Sequence, residues 1–259
     1  MRLFLSINKK FFIKSPKELI ELIKEYDINK IISGFEVYVQ NRDEETYLKR
    51  FSKYAIESGY EINMHAPVID SIEYGRYYLD FVKEISDITN RKINVAFHPL
   101  DGFSVENSRA KTRNIVKDLI DYIIEKDYLN NIDLSVENLN ILNNLRRLRK
   151  EEIEDILEEN DNIKFTYDIG HEIVDRIDSK KLDKILEERL SNIHIHTNKN
   201  MIDHMPIKDL EKEETIKNLL KIYANDNPVV LEYGLDFIKG NTFEEKLKEY
   251  IHLASFINI

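Results

Sequence analysis

The stretch FTYDIGHEI, residues 165–173, is a short apolar run that closes on Asp168, with Gly170 and His171 directly after it. Similar runs deliver His65 (NMHAP), His98 (AFHPLDG) and Glu137 (SVENLN). Others deliver His194 and His196 (HIHTNKN), with His204 (DHMPI) just beyond, and Glu232 (VLEYG). Six of the seven histidines fall at or just past such a run; only His252, in YIHLASF, lies inside a helical pattern. Imidazole nitrogens and carboxylate oxygens gathered in one place are ligands for a divalent metal such as Zn, Mn, Mg or Co. Without a cation, carboxylates that point at one another repel and are costly to desolvate, and a bound ion removes that cost. Asp168 and His171 are therefore expected as ligands, with Gly170 letting the backbone turn between them. The chain has no cysteine, which excludes thiolate sites and a disulfide framework.

For these side chains to meet, the runs that carry them must end on one face. Eight β-rich runs fit strands: 2–7, 32–39, 61–66, 93–98, 132–137, 163–168, 192–197 and 228–233. Val, Ile, Phe and Tyr dominate them, and their length suits strands rather than helices. Eight amphipathic patterns alternate with them. In the first, SPKELIELIKEY, Ser15 is placed to cap, Pro16 fills the first helical position, and apolar residues recur at 19, 20, 22 and 23. Strict alternation implies a parallel sheet with right-handed crossovers. Eight such units in 259 residues is the size of a closed (β/α)8 barrel. A doubly wound open sheet is the rival, but no Gly-rich phosphate loop follows any strand. The expectation is an α/β barrel forming a single domain over 1–259, with its chemistry at the C-terminal strand ends.

Each candidate also has a plainer use. A lone strand-end acid is commonly a helix N-cap or an ion-pair partner. Four ligand-type residues on strands five to eight, Glu137, Asp168, His196 and Glu232, outweigh that use. His65 and His98 could be satisfied by backbone carbonyls, and His171 and His204, read as loop residues, could be plain surface. His194 shares the side-chain parity of His196 but lies one layer deeper, which fits interior filling or support of a ligand. Glu36, in GFEVYV, could touch substrate, although barrel packing or a loop ion pair is the simpler use. His252 reads as helix packing. Asp101 and Asn138 stand where either could hydrogen-bond a ligand.

Composition sets the remaining bounds. Hydrophobic residues at 42% and charged residues at 33% suit a soluble globular chain with a substantial core. The N-terminal MRLFLSINKKFFIK is too briefly apolar for a signal peptide. No run approaches the roughly 18 apolar residues of a membrane span, so a cytoplasmic protein without a membrane partner is expected. A net charge of −10 disfavours a surface that grips nucleic acid. The basic run NNLRRLRK, 143–150, reads as a solvated helix face paired with the acidic EEIEDILEEN that follows. A monomer and a homodimer are both compatible with these numbers.

Taken in order and spacing, a set of motifs resembles the xylose isomerase-like TIM-barrel superfamily, which includes sugar (phosphate) isomerases and epimerases and endonuclease IV. They are HAP (65–67), HP (98–99), VEN (136–138), YDIGH (167–171), HIHTNK (194–199), DHMPI (203–207) and LEYG (231–234). The resemblance covers essentially the whole chain. In epimerase-like members one divalent metal is held by a Glu, an Asp, a His and a Glu from the last four strands; those roles fall on Glu137, Asp168, His196 and Glu232. In endonuclease IV-like members a three-zinc cluster adds further histidines and an Asp. His65, His98, His171 and His204 match the histidine part, as additional ligands or substrate contacts. The Asp expected two residues before His204 is missing: Ile202 stands there, with Asp203 adjacent. HAPVIDS and ENLNILNN also replace the Ser/Tyr-rich and Gly-rich runs of the endonucleases.

The resemblance thus implies a divalent-metal-dependent isomerase or epimerase of a sugar, sugar phosphate or related hydroxy-carbonyl compound. The metal polarises the carbonyl, and Glu137 and Glu232 remove and return a proton through an enediolate. The alternative is a zinc-dependent, endonuclease IV-like phosphodiesterase acting on abasic-site DNA, favoured by the extra histidines and opposed by the missing Asp. A third reading is a barrel that binds sugar or metal without turnover, against which the intact carboxylate pair stands.

Overall fold

Ser15 accepts a hydrogen bond from the Glu18 amide, Glu18 reaches back to the Ser15 amide, and Pro16 occupies the first turn. That capping box starts helix α1 (Pro16–Tyr26), whose Leu19, Ile20 and Ile23 are buried at the helical period. Thr242 and Glu245 repeat the device at the start of the last helix, α9 (Phe243–Ser255). The computed structural model describes residues 1–39, 41–102, 104–139, 148–174, 181–199, 202–207 and 213–257, without the side chains of 173, 174, 199 and 203.

Strands β1 (Arg2–Ile7), β2 (Ile32–Tyr38), β3 (Glu61–His65), β4 (Ile93–Phe97), β5 (Ile132–Glu137), β6 (Ile163–Asp168), β7 (Leu190–Ile195) and β10 (Pro228–Leu231) form the sheet. The helices between them are α2 (Glu45–Glu57), α3 (Ile72–Thr89), α4 (Val105–Glu125), α5 (Lys150–Glu158), α6 (Ile169–Val174), α7 (Lys184–Arg189) and α8 (Glu213–Tyr223). The strands close in the order β1-β10-β7-β6-β5-β4-β3-β2, every pair parallel. Because β1 pairs with both β2 and β10, the sheet has no free edge: this is a (β/α)8 TIM barrel, not an open doubly wound sheet.

Along each strand the faces differ. Leu3, Leu5, Ile7, Phe35, Val37, Val95, Leu134, Phe165, Ile193 and Leu231 join the hydrophobic cluster between sheet and helices. The alternate residues face the barrel interior and are largely polar. Asn192 on β7 hydrogen-bonds Glu36 on β2 across the barrel, and Ser135 bonds Thr166 at 2.7 Å. The β1–β2 pairing slips by one residue between Leu3 and Phe4, opposite Gly34, where a Cβ would lie 2.6 Å from the Glu61 carbonyl oxygen.

The structure departs from the sequence reading in four places. The seventh barrel strand begins at Leu190 and ends at Ile195, two residues early at each end, and its register with β6 slips between Phe165 and Thr166. A short antiparallel hairpin, β8 (Thr197–Lys199) and β9 (Ile202–Met205), follows it. Two helices, α6 and α7, stand between β6 and β7 where one was expected. Of the basic run, 143–147 lies outside the described residues, while Leu148 and Lys150 are buried. Lys150 pairs with Glu172 instead of joining a solvated face. Among the described residues, no helix is long and apolar enough to cross a membrane.

Candidate functional site

Glu137 ends β5 fully buried, and four histidines crowd its carboxylate. His65 Nε2 lies 3.1 Å and His98 Nε2 3.5 Å from Oε2; His194 Nδ1 is 3.3 Å from the same oxygen, and His171 Nδ1 is 3.2 Å from Oε1. Asp168 ends β6, also fully buried. Its Oδ1 accepts the His171 amide at 2.7 Å, the bond of an N-cap for α6. Its Oδ2 remains for the site, 3.1 Å from His196 Nε2 and 3.1 Å from His171 Nδ1. Asn138 is spent on bracing: its side chain donates to the Asp168 carbonyl and accepts from the Asp168 amide, both at 2.8 Å. It ties the ends of β5 and β6 together.

His171 and His204, expected in loops, both sit in regular structure. His171 is in α6 and buried, its Nδ1 3.0 Å from the Asn138 carbonyl oxygen. His204 is on β9 with a left-handed backbone, φ 58°, which costs a non-glycine residue energy and recurs at functional sites. The Gly234 amide donates to its carbonyl at 2.8 Å, and Thr197 donates to Met205 and Pro206 carbonyls, so the hairpin is pinned over the mouth. Gly170 plays a different part from the one expected. It lies inside α6, and positive φ among the glycines is confined to Gly59 and Gly240. A Cβ there would stand 2.5 Å from three atoms of the His196 ring. Gly170 makes room for His196, whose ring stacks on His204 at 4.5 Å and meets His171 edge-on at 5.0 Å.

Glu232 lies just past β10, and its amide continues the ladder to the Ile195 carbonyl at 3.1 Å. Its carboxylate reaches His194 Nδ1 at 3.3 Å and His204 Nε2 at 3.6 Å. One layer down, His194 and Glu36 are fully buried, with Nε2 and Oε1 2.9 Å apart. Glu36 is thus an interior residue, as barrel packing implied, hydrogen-bonded by the Asn192 amide.

The electrostatics follow from burial set against these contacts. Burial opposes ionisation of Glu137, yet the His98 and His194 charges hold its carboxyl well below the usual range. His194 does the same for Glu232. Burial pushes His65 down, but the Glu137 hydrogen bond and the surrounding carboxylates raise it to about 9. Burial prevails at His98 and lowers it. Glu137 and Glu232 are therefore held in the ionised form that a cation binds.

Among the described residues, four groups each bring their ligand atoms within 4.8 Å of one another and could hold a metal ion: Glu137–Asp168–His194–Glu232, Glu36–His65–His194–Glu232, His65–His98–Glu137 and His171–His196–His204. The expected quartet does not close as one group. Glu137, Asp168 and Glu232 come together with His194, while His196 gathers with His171 and His204. The donor set fits a divalent ion: buried Glu137 Oε1 makes no hydrogen bond among the described residues, and carboxylate oxygens with imidazole nitrogens are the ligands such ions take. Above them lies a cleft of about 300 Å³, lined by Ser6, Asn8, Lys9, Lys10, Tyr38, His65, His98, His204, Glu232, Tyr233 and Gly234. Sequence reasoning missed Tyr38, although it shares the parity of Glu36 two residues earlier. Asp101 is exposed beyond β4 and does not line the cleft. His252 is exposed on α9 beside Phe256, not packed inside.

A closed parallel barrel with histidines and carboxylates at the C-terminal ends of its strands defines a class of α/β proteins built around a mouth site. The chain belongs to the xylose isomerase-like TIM barrel family, matching it over residues 20–249. No curated protein matches it in sequence. Among solved structures it is similar to a D-psicose 3-epimerase studied in the presence of D-fructose, with TM-score 0.69 at 12% identity, covering 99% of this chain and 98% of that one. It is also similar to the apo form of a 3-keto-D-glucoside 4-epimerase from E. coli, with TM-score 0.65, 15% identity and coverage of 99% and 98%. A probable 3-DHS dehydratase from Bacillus anthracis gives TM-score 0.66 at 12% identity, with coverage of 98% and 99%. At such identities the likeness is one of fold.

Proposed function

We propose that this chain is a divalent-metal-dependent isomerase or epimerase of a sugar, sugar phosphate or related hydroxy-carbonyl compound. One observation carries the reading: three buried carboxylates, Glu137, Asp168 and Glu232, meet with a histidine within 4.8 Å beneath a cleft of about 300 Å³. Ionised carboxylates so close are compensated by a cation. Glu137, Asp168 and Glu232 would hold it together with His196, which joins them through Asp168, its Nε2 3.1 Å from Oδ2, with His65, His98, His171 and His204 as further ligands or substrate contacts. When bound, a divalent ion supplies Lewis-acid polarisation of a carbonyl and offsets developing negative charge. Glu137 and Glu232 enter from β5 and β10, so a substrate carbon between them is met from two sides. One removes a proton and the other returns it. Both are held ionised by their histidines, the form in which a carboxylate can receive a proton or a cation. The cleft matches the lower end of small-molecule sites, about 300–1,000 Å³, and so favours a compact, sugar-sized substrate. The same reading makes the chain a single-domain cytoplasmic monomer or homodimer. The epimerases among its structural neighbours support it.

The test has two parts. Elemental analysis of protein purified without added metal or chelator should find at least one divalent ion per chain. A panel of keto-sugars and their phosphates should then include a substrate on which Glu137→Gln loses about 10²–10⁴-fold in kcat. Full turnover by that variant overturns the assignment.

A second reading rests on its own observation. His65–His98–Glu137 and His171–His196–His204 could each hold a further ion. That arrangement suits a zinc-dependent, endonuclease IV-like phosphodiesterase acting on abasic-site DNA. Two or three zinc ions per chain would favour it, and failure to cut an abasic duplex with zinc supplied removes it.

A further inference from the structure

We propose that the end of β1 carries a phosphate-binding subsite, formed by Ser6, Asn8 and Lys9, and that the substrate of the mouth is accordingly a phosphorylated sugar rather than the free one. The inference rests on the isomerase or epimerase reading above and narrows its substrate class.

Ser6, Asn8 and Lys9 line the same cleft as Glu232. Each brings a hydrogen-bond donor: the Ser6 hydroxyl, the Asn8 side-chain amide and the Lys9 ammonium. Among the described residues, none of these three donors has a hydrogen-bond or ion-pair partner. Asn8 spends only its Oδ1, which accepts the Lys10 amide at 3.0 Å. A phosphate monoester presents three strong acceptor oxygens and a charge of about −1.5 to −2, which such a set takes up together. A sugar hydroxyl carries no charge to set against the ammonium, so its bond there is the weaker one.

The donors stand on a fixed turn. Asn8 caps a single 3-10 turn, Lys9–Phe11, in which the Phe11 amide donates to the Asn8 carbonyl at 2.8 Å. Phe11 is fully buried, edge-on to Phe243 at 5.9 Å and beside Tyr250 at 6.2 Å, which anchors the turn on α9. Lys10 pairs with Asp236 and ties the same turn to the loop after β10. The two lysines therefore differ: the charge of Lys10 is matched within the protein, and that of Lys9 is left for a ligand. A net charge of −10 repels anions at a distance, so a phosphate is accepted only where local donors outweigh that field. His65, His98 and Glu232, which belong to the groups that could hold a metal ion, line this cleft as well. One cavity thus serves both ends of a phosphorylated keto-sugar, the phosphate at β1 and the carbonyl at the metal-binding cluster.

The test compares two matched pairs, D-ribulose with its 5-phosphate and D-fructose with its 6-phosphate. Their binding to the full chain in the presence of zinc is measured by calorimetry, with turnover followed alongside. Within at least one pair the phosphate is expected to bind at least about 10-fold more tightly than the free sugar. Lys9→Gln is expected to lower that ratio about 10-fold, and Lys9→Arg to keep most of it. Lys9 is exposed, so neither substitution disturbs the core. Equal affinities within both pairs, or a preference undiminished in Lys9→Gln, overturns the subsite, and turnover of a free sugar in that case leaves the isomerase reading standing. A phosphate preference that Lys9→Gln abolishes, with no member turned over, upholds the subsite and counts against the isomerase reading. A chain that binds no member of either pair overturns the subsite as well.

Discussion

At Gly170 a single methyl group separates helix stability from site geometry. Alanine is the better helix former by about 1 kcal/mol, but its Cβ would meet the His196 ring at 2.5 Å. The overpacking outweighs that preference, so Gly170→Ala is expected to lose about 1–3 kcal/mol of stability and to bind zinc at least about 10-fold more weakly, read by calorimetry beside a melting curve. Wild-type affinity in that variant would show that His196 does not need the close approach. The strand-end residues Glu137, Asp168, His196 and Glu232 were legible in the sequence because a parallel barrel sends its C-terminal strand ends to one mouth. Their grouping was not. Whether His196 or His194 faces the carboxylates depends on ring rotation and on the contact with Gly170, which no local pattern encodes. The bracing role of Asn138 was hidden for the same reason: its partner, the Asp168 backbone, lies on the next strand.

Between elements, the clearest dependence is the tie from α5 to α6. Lys150 and Glu172 are an ion pair with side chains 7% and 4% exposed, and the Tyr167 hydroxyl donates to the same carboxylate. Removing one partner strands a buried charge, so Lys150→Ala is expected to cost about 3–5 kcal/mol in urea unfolding. Lys150→Met combined with Glu172→Leu should recover part of that loss, because an apolar pair leaves no uncompensated charge. If the double variant is no more stable than Lys150→Ala, the tie acts through something other than charge. The helices with caps and a full apolar stripe were readable, α1 most clearly, since Ser15, Pro16 and Glu18 each signal a start. The six-residue α6 and the β8–β9 hairpin were not. Each is shorter than the window in which periodicity accumulates, and both are held by tertiary bonds such as those of Thr197.

For the molecule as a whole, 48 acidic residues against 38 basic ones set what it meets in solution. Duplex DNA attracts proteins by counterion release at Lys and Arg, so this chain is expected to show no retention on immobilised duplex at about 0.15 M salt. Retention there would revive the phosphodiesterase reading. Alternation alone revealed only the α/β class, since an open sheet alternates equally well; the count of eight units in 259 residues and the absence of a Gly-rich loop pointed to the closed barrel that the structure shows. Closure resides in the pairing of β1 with β10, more than two hundred residues apart in the chain.

The two faces of each strand also bear on how such a molecule changes over generations. Leu5, Val37, Val95 and Leu134 hold the scaffold together, while their neighbours Ser6, Glu36, Ala96 and Ser135 look into the lumen. These eight divide the two tasks, so a substitution among the inward four leaves the apolar cluster between sheet and helices in place. New specificities can accumulate one inward side chain at a time, with the protein still folding at every step.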